Sequence, residues 1–484
     1  MDLTLSLDDG GRPRLIHCMN QTSASHRTLV LLALVVTASR GLSFSRGKLS
    51  EIGVLSYAIV LVGLAVVLFL GGRWRGSGDT KGGFSTWQVF LPCAFVYVFS
   101  TNAGRHLLIS SPEIWHQLLS LHSEVALFLA LPVLLLASQR FRDRLTHRWQ
   151  IALLLLPLML VLAFFLLVPF ASPTPSIDVF LFQMEAARNL VSGQNPYETV
   201  YEIYTGLNLY PGGIPDSYPY PPLSFPIGLA GYVLGDVRWA LIACHIGAAL
   251  TLYATARQRR LPATEAISLA GLFFYLPHAP LVSEQAWMDP SVALSLGMMS
   301  LLLARRRPQA ALWAAGVALA LKQTMVILLP VLWGLWRRLD RALLTAVFAI
   351  SALSYGVFLL WDAGALWKDV VLFHMETPFR KDALTLSAFL VHFLGVSPLP
   401  SWLSLVGLVG GSIAALFALR PAEGGVSPCD SDRLWRFFVG LAFALLLTLV
   451  LSKHAFMNYY YMVHFVMIQA LVWSRVTDRE ATTA

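Results

Sequence analysis

Long apolar runs alternate with short polar segments along almost the whole chain. The one long exception is the polar, aromatic and proline-rich segment 172–223. Some runs are shorter than the roughly 20 residues that a perpendicular membrane-spanning helix needs, so their ends are placed only to within a few residues. The predicted spans are 54–70, 87–100, 125–136, 151–170, 240–256, 263–280, 291–304, 342–361, 402–419, 437–451 and 460–473.

A weaker apolar run at 28–36 precedes these spans. It fits a first span, a helix lying in the interface, or the apolar part of a signal sequence, although it lacks the small-residue cleavage pattern of a signal. We therefore expect a retained first span. Together the runs predict an all-α polytopic membrane protein with about 11–13 transmembrane helices.

The composition supports this class of protein. Hydrophobic residues make up 56% of the chain and charged residues 13%, whereas soluble domains carry about 25% charged residues. The net charge of +8 would suggest nucleic acid as a partner of a soluble protein. Here the basic residues lie in short loops between apolar runs, so we expect no nucleic-acid partner. The cysteines predict neither a disulfide framework nor a metal cluster, since no two of them form a CxxC pair.

Clusters of basic residues predict the orientation, because such loops stay on the cytoplasmic side. These clusters lie at 73–81, 140–148, 257–260, 305–307, 337–341 and 420–436. The polar segments that then face the exterior are 172–221, 283–289, 362–382 and 452–458. Candidate chemistry is therefore expected on the outer face. Arg40, Arg46 and Lys48 also fall on that face and count against the scheme locally.

Two stretches conflict with a simple count of crossings. Residues 307–337 have basic ends and an apolar interior, which a re-entrant hairpin with Lys322 and Gln323 near its tip would explain. Residues 222–234 and 239–256 would make two spans where one net crossing is allowed, so 222–234 is predicted to be a half-helix or an interfacial helix. Breaks at membrane depth occur where they line a protein cavity, and both stretches therefore predict one.

The long polar segment begins with an acidic residue beside the bilayer. Pro173 and Pro175 end the span 151–170, so Asp178 is expected just above the membrane surface. The apolar residues that follow recur at helical spacing, which is typical of a helix lying in the interface. The carboxylate is either the N-cap of this helix or a reactive group.

Three motifs follow one another in this region: Asp178, then Gly193-Gln194-Asn195-Pro196-Tyr197, then Tyr218-Pro219-Tyr220-Pro221-Pro222-Leu223. Weaker echoes are Ser283-Glu284-Gln285, the stretch from Gly316 to Lys322, and Lys453-His454 before the final aromatic helix. Over residues 149–473 the ordered set resembles the polyprenol-phosphate-sugar-dependent glycosyltransferases of the GT-C fold. The resemblance is to the mannose-dependent transferases of glycosyltransferase family 87 in particular.

The resemblance implies a GT-C-like helical bundle and an inverting transfer reaction. Asp178 would be the general base that takes a proton from the acceptor hydroxyl, and His454 would contact the phosphate of the donor. The partners would be a polyprenyl-phosphate-linked sugar, with mannose expected, a lipid or glycan acceptor, and membrane lipids. No cofactor and no metal are expected, because the outer loops contain no DxD motif of nucleotide-sugar enzymes.

Further cations and polar groups on the outer face complete the candidate site. Positive charge is needed for the leaving phosphate, and Lys453 and Arg380 are available there. Lys322 is added, because an ionisable residue deep in an apolar segment is usually functional or paired. The candidate substrate-binding residues are Glu284, Gln285, Tyr197, Tyr220 and Asn458.

Each of these residues also has a structural interpretation. Lys453 and its neighbour fit the polar end of a span, and Arg380 fits a contact with anionic lipid headgroups. Glu284 and Asp289 fit caps of a helix that begins at residues 290–291. Lys322 fits a side chain that bonds carbonyl groups at a hairpin tip.

The predicted organisation is an accessory helical region at 1–148, a catalytic core at 149–476 with the outer loop 172–222, and a cytoplasmic tail at 477–484. The protein is expected in a plasma membrane of the bacterial type, with its active site facing the periplasm or exterior. The alternative function is a transporter or flippase of lipid-linked sugars, which should show internal repeats and ionisable residues at mid-membrane depth. A non-catalytic assembly protein would leave Asp178 unexplained.

Overall fold

The computed structural model describes residues 19–45, 48–70, 133, 135–136, 138–175, 177–199, 201, 217–276, 279–336, 341–419 and 431–475. The predicted span 87–100, almost all of the predicted span 125–136 and the predicted tail 477–484 lie outside these ranges. Within the ranges the chain is helical and contains no strand. The all-α class predicted from the sequence is therefore confirmed for the described part.

Long apolar stretches form the helices, and polar or proline-containing turns separate them. In chain order they are α1 (Met19–Ser45), α2 (Glu51–Leu70), α3 (Gln139–Arg144), α4 (His147–Ala171), α5 (Asp178–Val191), α6 (Ser224–Val233), α7 (Arg238–Gln258), α8 (Ala263–Phe274), α9 (Ala279–Glu284), α10 (Asp289–Ala304), α11 (Pro308–Leu321), α12 (Leu328–Trp336), α13 (Arg341–Trp367), α14 (Phe373–Glu376), α15 (Leu386–Leu394), α16 (Leu403–Ala418), α17 (Ser431–Val450) and α18 (Met457–Ser474). Connecting segments include 3₁₀ turns at Pro196–Glu198 and Gln323–Ile327 and a π-helical turn at Lys368–Leu372.

Five segments of the described chain are long and apolar enough to cross a membrane. They are Glu51–Leu70, His147–Ala171, Arg238–Gln258, Thr345–Glu376 and Ser431–Val450, and each overlaps a predicted span. Shorter apolar helices, among them α8, α10, α11 and α16, pack with them. The protein is thus a helical membrane protein, and the total of about 11–13 crossings stays a prediction.

The last helix, α18, is buried although its sequence is only partly apolar. Every residue of α18 except Tyr459 is buried. The Tyr461 hydroxyl lies 2.7 Å from Nδ1 of His245 on α7, and Gln469 accepts a hydrogen bond of 2.8 Å from the Ser300 hydroxyl on α10. Because unpaired polar groups are costly to bury, these bonds fix the rotation of α18 against its neighbours.

Two glycines bring α16 and α17 into close contact. A Cβ atom on Gly407 would lie 2.8 Å from Cα of Thr448, and one on Gly411 would lie 2.7 Å from Cα of Ala444. The two glycines stand four residues apart and therefore share one face of α16. This is the small-residue spacing that lets membrane helices approach each other closely.

Contacts between distant loops define two opposite ends of the bundle. We call one of them the basic end. There Arg259 donates to the Ser431 hydroxyl over 2.6 Å, and Arg475 pairs with Glu265 over 3.1 Å. Arg433, at the start of α17, lies at the same end. The other end, which we call the loop end, joins residues 375–384 to residues 452–456. There the backbone N–H of Leu384 donates to the Ala455 carbonyl over 2.9 Å.

The two stretches that conflicted with the count of crossings both contain helix breaks. Residues 222–234 form the ten-residue helix α6, and the next helix starts again at the loop end, where Arg238 donates to the Ser172 carbonyl over 2.6 Å. Residues 307–337 turn at Lys322, the predicted tip. The two arms pack on different helices, α11 against α10 and α13, and α12 against α16 and α17.

Candidate functional site

The Tyr-Pro segment, residues 217–223, is held at the loop end by hydrogen bonds from every side. The Tyr218 N–H donates to Oδ2 of Asp369 over 2.7 Å. The Pro219 carbonyl accepts from Nε2 of Gln323 (2.8 Å) and from Nε2 of His374 (3.2 Å). Because the prolines of this segment have no N–H, most of its bonds are made by its carbonyls and by side chains that reach it.

An aromatic cluster surrounds the Tyr-Pro segment. The Tyr197 hydroxyl donates to the Tyr220 carbonyl over 2.8 Å, and the Tyr218 hydroxyl donates to Oε1 of Gln183 over 2.8 Å. The Tyr220 ring packs against Phe182, with ring centroids 5.8 Å apart. Tyr197 and Tyr220, which the sequence suggested for substrate binding, are therefore both buried within this cluster.

Asp178 is the first residue of α5 and is half-buried. Its Oδ1 accepts from the Val179 N–H over 2.8 Å. The residue at the N-cap position is Ile177, and Asp178 binds the adjacent N–H, whereas a cap normally binds the N–H two or three residues on. Within the described part of the chain, no basic side chain lies within ion-pair distance of this carboxylate. The carboxylate therefore contributes to the helix start and still faces the loop end.

The electrostatic setting of Asp178 follows from its burial beside the bundle. Burial raises the pKa of the Asp178 carboxyl above its ordinary value. The hydrogen bond from Val179 and the charge of Arg380 oppose this rise but do not cancel it. A carboxyl whose pKa is raised in this way is a stronger base, which suits proton abstraction near neutral pH.

Arg380, Lys453 and His454 gather at the loop end. Arg380 forms a two-point ion pair with Asp382, with N–O distances of 2.7 and 2.8 Å. Lys453 donates to the carbonyls of Met375 (3.0 Å) and Thr377 (2.6 Å). His454 donates through Nε2 to the Pro378 carbonyl. These bonds tie the loop before α18 to the segment after α14.

Burial shifts the pKa values of Lys453 and His454. Burial lowers the pKa of the Lys453 ammonium below its ordinary value. It also lowers the pKa of His454 to about 4, against the hydrogen bond to Pro378, and the charges of Lys453 and Arg380 lower it further. His454 is thus a neutral hydrogen-bond donor at pH 7, and an arriving anion would raise its pKa.

Lys322 is buried and paired with a carboxylate. Its Nζ lies 2.6 Å from Oδ1 of Asp289, and Asn458 donates to Oδ2 of Asp289 over 3.2 Å. The ammonium also lies 4.2 Å from the centre of the Tyr459 ring. The interpretation of Lys322 as a side chain bonding carbonyls at a hairpin tip is therefore wrong, because a charged amine gains more from a buried carboxylate.

The two acidic residues interpreted as helix caps have other places. Asp289 is the first residue of α10, and its carboxylate binds Lys322 and Asn458. Glu284 ends the separate helix α9 and is fully buried, as is most of Gln285. The cap interpretation of both acids is therefore wrong, because a turn of chain separates α9 from α10 and the Asp289 oxygens are already engaged.

Sequence reasoning did not single out Asp369, His374 or Gln323 as site residues, although all three hold the Tyr-Pro segment. Asp369 is fully buried in the π-helical turn, a local distortion of a kind that often marks functional sites. An acidic residue directly after a long apolar helix was the available signal. Within the described residues, no three His, Cys, Asp or Glu side chains group as metal ligands.

A cleft on the described part of the molecule lies at the basic end, far from Asp178. Its polar lining includes Arg142, His147, Gln150 and Glu265. Glu265 is already paired there with Arg475 over 3.1 Å. The acid and the gathered cations that could do chemistry therefore belong to the loop end.

The chain was also compared with known proteins. No protein-family model matches it, and no curated protein and no solved structure shows significant similarity to it.

Proposed function

We propose that the protein is an integral-membrane inverting glycosyltransferase, which transfers a sugar from a polyprenyl-phosphate donor to an acceptor hydroxyl. Mannose is the sugar that the sequence resemblance favours. The reaction would take place at the loop end, on the outer face of a plasma membrane. Asp178 would be the general base, and Lys453, His454 and Arg380 would contact the donor phosphate.

One observation carries this proposal, namely that an acid and two cations distant in sequence, Arg380 and Lys453, meet at one end of an apolar bundle. Asp178 has a raised pKa and feels the charge of Arg380. Arg380 and Lys453 in turn act on His454. A base without an ion-pair partner among the described residues, beside a group of cations, is the charge distribution that transfer from a phosphate-linked sugar requires.

The chemistry can be written with each atom accounted for. The Asp178 carboxylate takes the proton of the acceptor hydroxyl, and the acceptor oxygen forms a bond to the anomeric carbon of the sugar. The bond between that carbon and the phosphate oxygen breaks at the same time, so the configuration inverts. The electron pair leaves on polyprenyl phosphate, whose charge is balanced by Lys453 and Arg380, while His454 donates a hydrogen bond.

The membrane setting supports a lipid-linked donor. Five described segments are long and apolar enough to cross a bilayer. If they do so, the loop end would stand at about the level of the lipid phosphates. Low dielectric surroundings strengthen the attraction between the phosphate and the cations. A water-soluble sugar nucleotide lacks the lipid tail that would hold a donor at this level.

The test uses the full-length protein in lipid vesicles with radiolabelled polyprenyl-phosphate mannose and lipid, glycan or peptide acceptors. Transfer should be detected for the wild type and should fall by about 10²–10⁴-fold in Asp178→Asn, as expected for loss of a general base. Glu185→Gln is the matched control, since it alters an exposed carboxylate on the same helix that is paired with Arg188.

Two outcomes would overturn the proposal. Transfer at the wild-type rate by Asp178→Asn would show that Asp178 is not the general base. Movement of the lipid-linked sugar between leaflets without transfer to any acceptor would favour the flippase alternative.

A further inference from the structure

The chain breaks its helical course at Lys322, between α11 and the 3₁₀ turn Gln323–Ile327. Lys322 has extended backbone angles, φ −153° and ψ 129°, and is 5% exposed. Its Nζ and the carboxylate of the fully buried Asp289 form an ion pair of 2.6 Å. The backbone at the break is therefore tied through a side chain to the start of α10.

The next residue, Gln323, links the backbone at Lys322 to the Tyr-Pro segment. Nε2 of Gln323 donates to the Pro219 carbonyl over 2.8 Å and to the Val370 carbonyl over 3.3 Å. Because Gln323 directly follows Lys322, the place of its amide depends on where the ion pair holds the chain. Asp369, next to Val370, accepts a hydrogen bond of 2.7 Å from the Tyr218 N–H. The bonds of Gln323 and Asp369 thus both attach the Tyr-Pro segment to the π-helical turn region.

The Tyr-Pro segment in turn borders Asp178. The Tyr220 ring packs on Phe182, with ring centroids 5.8 Å apart. Phe182 stands four residues after Asp178 and therefore on the same face of α5. The charges of both Asp289 and Asp178 reach the Tyr220 hydroxyl. Tyr220 is therefore near both the acid paired with Lys322 and the candidate base.

We propose that the Lys322–Asp289 ion pair is a positioning device, which keeps Gln323 on the Pro219 carbonyl and so holds Tyr220 beside Asp178. Lys322 then acts through the backbone and has no direct contact with the donor phosphate. The consequence for catalysis rests on the proposed function, whereas the effect on the Tyr-Pro segment does not.

The energetics of burial predict how variants of the pair behave. Removing one partner leaves a buried charge without compensation, so the break must shift or admit water. When both charges are removed, no unpaired charge remains in the apolar interior, and the backbone can keep its conformation at Lys322. Lys322→Met and Asp289→Asn should therefore each loosen the Tyr-Pro segment, and the double variant should restore it in part.

The first measurement is hydrogen–deuterium exchange of the full-length protein in vesicles, followed over residues 218–225 in a peptide that starts at least two residues earlier, so that the label on the Tyr218 N–H is retained. The Tyr218 and Ser224 N–H groups of this peptide have bonds to Asp369 and to the Pro221 carbonyl. Exchange should accelerate by about tenfold in each single variant and by much less in the double variant, as coupled residues in contact behave.

Glu265→Gln is the control for exchange, since it breaks a largely buried ion pair with Arg475 at the basic end. It should leave exchange over residues 218–225 unchanged. If Lys322→Met fails to accumulate, Asp289→Asn, which removes the other charge of the pair, takes its place. Unaltered exchange in folded Lys322→Met or Asp289→Asn would overturn the proposal.

The second measurement separates positioning from phosphate binding. A positioning role predicts that Lys322→Met lowers kcat, leaves the KM for polyprenyl-phosphate mannose within about twofold, and is partly rescued by Asp289→Asn. A raised donor KM without rescue would instead assign Lys322 to the phosphate and overturn the proposal. If the wild type transfers no sugar at all, the proposed function fails, and the exchange experiment still decides on the ion pair.

Discussion

At the scale of single residues, the Asp178 carboxylate combines an observed contact at a helix start with a proposed role as base. Asp178 accepts the Val179 N–H at the first turn of α5, and its raised pKa suits it to take a proton. Asparagine caps a helix as well as aspartate does. A role restricted to the helix end would therefore survive substitution by asparagine, whereas a role as base would not.

The raised pKa of Asp178 also predicts a dependence of stability on pH. A carboxyl whose pKa is higher in the folded state stabilises the fold fully below its unfolded pKa, about 3.9, and this contribution is lost as the pH rises through the folded value. Relative to Asp178→Asn, the wild type should thus become less stable as the pH rises above about 4. Thermal unfolding in detergent across this range measures the difference.

The control for this prediction is Glu185→Gln, because Glu185 lies on the same helix and its side chain is 40% exposed. Its unfolding temperature should follow that of the wild type at every pH. A wild type that gains stability over Asp178→Asn as the pH rises would mean that the ionised carboxylate is stabilised by a cation.

The paired residues Lys322 and Asp289 show what sequence reasoning could reach at this scale. An ionisable residue deep in an apolar run indicates a function or a partner, and that expectation is met by the ion pair of 2.6 Å. The partner itself was missed, because Asp289 precedes a proline and fits the pattern of a helix cap. A local sequence pattern does not show which distant residue will contact the Lys322 side chain in the folded protein.

At the scale of elements, apolar runs predicted most of the described helices, and the spans near 54–70, 151–170 and 437–451 agree with α2, α4 and α17. The interruptions were harder to predict. The segment 263–280 is divided into α8 and α9, and α13 has a non-helical residue, Asp362 (φ −155°, ψ 101°), within a longer helical stretch. Hydropathy indicates how favourably a segment enters lipid. It does not indicate where contacts with neighbouring side chains interrupt the helix.

The glycines of α16 provide a prediction for helix packing. Gly411→Ala should destabilise the fold by about 1–3 kcal/mol, because its Cβ would lie 2.7 Å from Cα of Ala444 and the two helices would have to separate. Gly410→Ala is the matched control, since a Cβ there meets no atom within 4 Å. Thermal unfolding of the purified variants in detergent measures the cost.

The adjacent pair of variants makes the result easy to interpret. Both replace glycine by alanine within the same helix, so any general gain in helix propensity is shared. Equal stability of the two variants would show that α16 and α17 do not pack as closely as the Gly411 contact requires.

At the scale of the whole molecule, charges are sorted between the two ends of the bundle. Arginines near residues 259, 433 and 475 gather at the basic end, and Asp178 with its neighbouring cations lies at the loop end. The positive-inside rule assigns the basic end to the cytoplasm. The candidate site would then face the exterior, where a membrane-linked donor and an extracytoplasmic acceptor can meet.

Labelling in intact cells tests this orientation. In a variant without native cysteines, Lys381→Cys should react with a membrane-impermeant maleimide added outside, and Gln258→Cys should react only after the membrane is opened. Both positions are exposed, Lys381 at the loop end and Gln258 at the end of α7 near the arginines. The reverse pattern would place the loop end in the cytoplasm.

The separation of Asp289 and Lys322 along the chain also bears on biosynthesis. Asp289 opens α10, and its counter-charge follows only 33 residues later, after α11. During translation, α10 is complete while its carboxylate still lacks a cation, a costly state in a bilayer. Since α10 and α11 pack along each other, entering the membrane as one helical hairpin neutralises both charges at once. The loop end of the molecule would thus begin to form during insertion, well before α18 emerges from the ribosome.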